Sequence, residues 1–73
     1  MTSQNDNLEH IVSKSRQAKF NGYGLLSRSE ALAAALVLNR ADWLQEMDYT
    51  IAQALDRIGD EWSQLVPVAA RLV

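Results

Sequence analysis

What this chain lacks narrows its reading first. It has no cysteine, so neither a disulfide nor a thiolate zinc site is possible. It has one histidine, His10, which excludes a histidine-rich metal site. A catalytic nucleophile needs a base beside it, and the single imidazole lies in a weakly apolar segment, far in sequence from the most apolar one. The three glycines form no phosphate-cradling loop. No catalytic residue, metal or cofactor is therefore expected, and no enzyme activity. No apolar run approaches the roughly 18 residues that cross a bilayer; the longest is Ala31 to Leu38. Met1 to Asn7 lacks the basic-then-apolar order of a secretory signal. Cytoplasmic residence is the expectation, with no membrane partner.

What is present suits one small domain. A chain of 73 residues buries only about 60% of the surface its unfolded form exposes. A core of that size rarely supplies more than roughly 3–5 kcal/mol without a staple. With disulfides and metals excluded, self-association or another protein is the remaining staple. The net charge of −2 is unevenly spread. Residues 1–28 hold Lys14, Arg16, Lys19 and Arg28 against Asp6 and Glu9, leaving +2. Residues 29–73 hold Arg40, Arg57 and Arg71 against seven acids, leaving −4. Such asymmetry can steer partners together.

Three helix-start signals organise the chain: Ser27 to Glu30, Asn39 to Asp42 and Thr50 to Gln53. In each, a side chain able to cap a first turn stands three residues before an acid or amide that can return the hydrogen bond. The pattern predicts an all-α fold, a compact bundle of four or five short helices around a central Ala/Leu-rich helix. Residues 1–5 are expected to be frayed. Residues 6–26 read as a weakly apolar N-terminal helix and a glycine turn. Leu8, Ile11, Val12, Ser15 and Ala18 share one thin face, with Ser3 or Asn5 as cap. Residues 27–73 carry the core helices. The apolar-all-round segment Ala31–Leu38 should be buried on most sides.

A break at Asn39-Arg40 is preferred to one continuous helix over residues 28–47. Trp43, Leu44 and Met47 then share one side of a short helix. Ile51, Ala54, Leu55 and Ile58 follow at helical spacing. Gly59 stops that helix, Asp60 caps the next, and Pro67 should kink it or start a final turn. The terminal apolar residues are expected to dock.

Two tryptophans in so small a chain are core anchors or interface anchors, since Trp and Arg dominate interface hot spots. The expected partner-binding set is Arg40, Trp43, Glu46, Met47, Asp48 and Trp62, and Phe20 with Tyr23 is a second patch. Residues 50–72 also carry the outline of a helix-turn-helix, with Gly59 in the turn. Leu55 is large where a tight crossing needs a small residue. Asp60 and Glu61 open the helix that would read DNA, and its one base is Arg71. A DNA reader needs a basic footprint, so nucleic acid is the less favoured partner.

Leu38-Asn39-Arg40-Ala41-Asp42-Trp43-Leu44 and Tyr49-Thr50-Ile51-Ala52-Gln53-Ala54-Leu55-Asp56-Arg57-Ile58-Gly59, within residues 31–62, resemble small uncharacterised helical proteins of proteobacterial mobile elements. The resemblance implies accessory roles such as regulators, toxin–antitoxin partners or inhibitors of host defence. It carries no active-site residues. The expected function is thus non-catalytic protein–protein binding, with the chain itself as a homodimer partner, another protein, or both.

Overall fold

Ser27 starts the central helix as its sequence predicts. Its hydroxyl accepts from the Glu30 amide at 3.2 Å, and the Glu30 carboxylate accepts from the Ser27 amide at 3.0 Å. The computed structural model describes residues 3–73, with side chains from Asp6 onward; the caps expected of Ser3 or Asn5 lie outside the described side chains. Four helices follow in order: α1 (Ser3–Asn21), α2 (Arg28–Val37), α3 (Ala41–Glu46) and α4 (Ile51–Leu72). Among the described residues there is no strand. The Cα radius of gyration is 11.0 Å, matching the roughly 11 Å of a close-packed chain of this length.

The break between α2 and α3 is real, but Asn39 does not cap α3. It follows the α2 C-cap Leu38 with φ 57°. The Arg40 amide reaches back to the Ala35 carbonyl at 2.8 Å, and the Asn39 amide to Leu36 at 3.3 Å. That pair of bonds is the Schellman stop, which needs a left-handed residue just past the helix. Asparagine tolerates that conformation, so its backbone ends one helix instead of its side chain opening another. Asp48 repeats the device after α3, with φ 63° and a Tyr49 amide to Leu44 carbonyl bond of 2.9 Å. At the end of α1, Gly22 takes φ 76° and its amide bonds the Ala18 carbonyl.

The start of α4 follows prediction: Thr50 and Gln53 exchange reciprocal bonds of 3.0 and 2.9 Å. Gly59 then breaks the helix at φ 88°, ψ 166°, a region essentially closed to side chains with a Cβ. Gly59 itself is the one non-helical residue of the break, so Asp60 lies inside the new helix instead of capping it. Pro67 does not interrupt α4; Gly59 is the only non-helical point within it. Pro67 is exposed, so its ring points to water and its missing N–H is the local cost.

The break serves packing. Ala54 and Ile58 of the first half join Ala31–Ala35, Trp43, Leu44 and Met47 in one cluster. Leu65 and Ala69 of the second half join Ile11, Val12 and Val37 in another. In α2, Leu32 and Ala34 are both 0% exposed, so the central helix is buried as expected. Burial at about 25 cal/mol per Å² is the main stabilising term. The small alanines let neighbouring backbones come close.

The first helix contributes more than its thin stripe promises: Ile11, Ser15 and Ala18 are fully buried. Three polar ties add to that docking. The Asn7 amide donates to Glu61, His10 Nε2 lies 2.6 Å from Glu30 Oε2, and Arg16 donates to the Leu72 carbonyl at 2.8 Å. An ionised carboxylate only accepts, so the His10 nitrogen facing Glu30 carries the hydrogen.

Candidate interaction surface

The sequence-predicted partner residues divide into core and surface. Trp43 and Met47 are 7% and 8% exposed, so both serve the interior and offer no face to a partner. Trp43 is sealed by its neighbours. The Arg40 guanidinium lies 4.3 Å above its ring centroid, and Tyr23 meets it edge-on at 5.2 Å. Aromatic pairs favour that edge-on arrangement, and a cation over an indole face is attracted by the ring quadrupole.

Around this plug stand the polar members. Arg40 forks onto Asp42 through bonds of 3.0 and 2.8 Å. This holds the Asp42 carboxyl below its usual range and raises Arg40. Glu46 accepts from the Tyr23 hydroxyl at 2.7 Å. That bond, followed by desolvation, raises the Tyr23 pKa, because ionised tyrosine could not donate it. Asp42 and Glu46, the one i, i+4 acid pair on this helix, are thus each hydrogen-bonded to a neighbour. Asp48 is exposed and starts the turn into α4. Trp62 is half-buried elsewhere, its ring 5.8 Å from His10 on α1. Arg40, Trp43, Glu46 and Met47 therefore come together, with Asp48 at their edge, while Trp62 joins α1 to α4.

Glu30 is the one acid on α2. The Ser27 amide first, and His10 after burial has partly opposed it, hold its carboxyl below the ordinary range. Both bonds favour the charged form.

Among the described residues, the large apolar side chains left in water are Phe20 at 83%, Leu25 at 84%, Ile51 at 60%, Leu72 at 51% and Leu55 at 36%. Phe20 belongs to the predicted second patch; its companion Tyr23 is instead half-buried against Trp43. Ile51 and Leu55 share the helical spacing of Ala54 and Ile58. Only Ala54 and Ile58 of that run are buried, because the first half of α4 meets the core along a narrow strip. The residues that sequence reasoning missed are Leu25, Ile51, Leu55 and Leu72. Their signal, apolar residues at helix ends and in a turn, is the same one that marks a core.

An open groove of about 410 Å³ lies between α1 and the end of α4, lined by Leu8, Glu9, Val12, Ser13, Arg16 and Leu72. No three of His, Cys, Asp and Glu gather for a metal among the described residues, and no described helix is long and apolar enough to cross a membrane. In comparisons with known proteins, the chain matches no family model, no curated protein and no solved structure.

Proposed function

We propose that this protein is a non-catalytic protein–protein interaction module that works as a homodimer. The observation that carries the reading is the contrast between a finished interior and an unfinished surface. The core closes without help, yet five large apolar side chains stand 36–84% exposed. Exposed apolar side chains on a small fold offer a partner surface to bury, and pairing that covers them removes them from water at about 25 cal/mol per Å². The acids of the α3 region, tied in place by Arg40 and Tyr23, would repel a second acidic surface of the same kind and so narrow the choice of any further partner protein. The resemblance of residues 31–62 to mobile-element proteins suggests an accessory role in such an element.

The accessible surface of 4615 Å² equals that of a lone 8.2 kDa globule, about 4,500 Å². The pairing is thus an addition to a complete subunit. Sedimentation equilibrium at high micromolar concentration tests it. A mass of twice 8.2 kDa is expected, and a monomer throughout would overturn it.

A second reading, a helix-turn-helix DNA-binding regulator on residues 50–72, is favoured by the sharp break at Gly59. Against it, the exposed residues of the following helix include Asp60 and Glu61 and only one base, Arg71. Salt-dependent retardation of generic duplex DNA at micromolar protein would support this reading over the first.

A further inference from the structure

Resting on the homodimer reading, we propose that the groove face of α1 is where a second copy of this chain docks, α1 against α1 and antiparallel. The groove supplies the apolar part. Leu72 is 51% exposed at its edge, and Leu8 is half-buried within it. Its two charges supply the direction. Glu9 and Arg16 line the same groove, seven residues apart, so they fall two turns apart on nearly one line of the helix. Ser13 lies between them. A two-fold axis between Val12 and Ser13 sets Glu9 of each copy opposite Arg16 of the other, and the small Ser13 beside the crossing lets the helices approach.

The rest of the helix agrees with that direction. Asp6 lies at the acidic end and Lys19 at the basic end, both exposed, so antiparallel pairing brings opposite ends together while parallel pairing brings like to like. Asp6, Glu9, Ser13, Arg16 and Phe20 are all exposed at alternating three- and four-residue spacing, so they share one outward face of α1. The bond from Arg16 to the Leu72 carbonyl holds the guanidinium at the groove, and its remaining N–H groups stay available to a carboxylate. The α3 face offers no such match: the acids Asp42, Glu46 and Asp48 outnumber Arg40, which is already forked onto Asp42. A 19-residue helix is about 28 Å long. A contact of that length falls short of the roughly 800 Å² per partner of a standard interface, so the dimer is weak and salt-sensitive.

The test is a charge exchange. Glu9→Arg sets cations against cations, and Arg16→Glu sets anions against anions. Each variant alone should dissociate about tenfold more readily than the wild type, because two attractive contacts become repulsive. An equimolar mixture should regain the dimer mass, because both opposite-sign contacts return in the mixed pair. A mixture that stays monomeric overturns the antiparallel register. If each variant alone dimerises like the wild type, the α1 face is not the interface and the homodimer reading survives. A wild type that is monomeric at about 1 mM defeats both. Circular dichroism checks that the variants fold. Should one fail, amide chemical shifts of the wild type on dilution decide. Changes concentrated in residues 8–20 and at Leu72 support the proposal, and changes elsewhere or none overturn it.

Discussion

Replacing Ser15 by alanine should make this protein more stable. The Ser15 side chain is fully buried, and its hydroxyl has no hydrogen-bond partner. A buried polar group left unpaired costs about 1–3 kcal/mol in lost hydration. Ser15→Ala removes that cost and adds roughly 0.5 kcal/mol of helix propensity in the interior of α1. The void left by one oxygen takes back only a few tenths, at about 24 cal/mol per Å³. The net gain is about 1–3 kcal/mol, set against a total stability on the order of 3–5 kcal/mol for a core this small. At about 4–8 °C per kcal/mol, the midpoint of thermal unfolding should rise by at least about 4 °C. Urea denaturation should show a higher midpoint at unchanged slope, since the surface exposed on unfolding stays the same. An unchanged or lowered midpoint would refute the reasoning. It would mean that the hydroxyl is satisfied, for instance by a carbonyl one turn back in its own helix.

Trp43→Ala should cost about 3–5 kcal/mol and abolish cooperative unfolding at 25 °C; a folded variant would show that the ring is not part of the core. Gly59→Ala should cost about 1–3 kcal/mol through its dihedral alone, because nothing lies within 4 Å of an added Cβ, and urea midpoints measure it. Because the Glu30 carboxyl is depressed in the folded state, its contribution is fully present above the ordinary glutamate value of about 4.3. That contribution is lost as pH falls through the depressed value. Glu30→Gln should therefore flatten the acid limb of a stability–pH curve, and an unaltered limb would count against the bonds to Ser27 and His10.

Much of the fold was legible where local chemistry decides it. Ser27 with Glu30 and Thr50 with Gln53 carry their capping bonds in adjacent residues, and the apolar-all-round segment Ala31–Leu38 had nowhere to go but inside. Asn39 misled because its side chain suits a cap while its backbone tolerates the left-handed turn, and only the return of Arg40 onto Ala35 decides between them. The docking of α1 was underestimated because Ser15 and Ala18 are poor in apolar area but small enough to sit close against neighbours. The candidate site was less legible. Trp43 and Trp62 look alike in sequence, and which ring is sealed depends on Tyr23, twenty residues away. Ile51 and Leu55 share the spacing of Ala54 and Ile58, and only the rotation of α4 against α2 tells which pair faces water.

Amide hydrogen exchange at two protein concentrations, about 20 µM and about 1 mM, tests the whole account at once. The slowest amides should be those of Ala31 to Val37 at both concentrations, because opening α2 requires opening everything packed on it. Protection along α1 should rise at the higher concentration, because pairing stabilises the folded state against every opening that exposes the α1 face. Fast exchange in α2, or protection along α1 that ignores concentration, would contradict it.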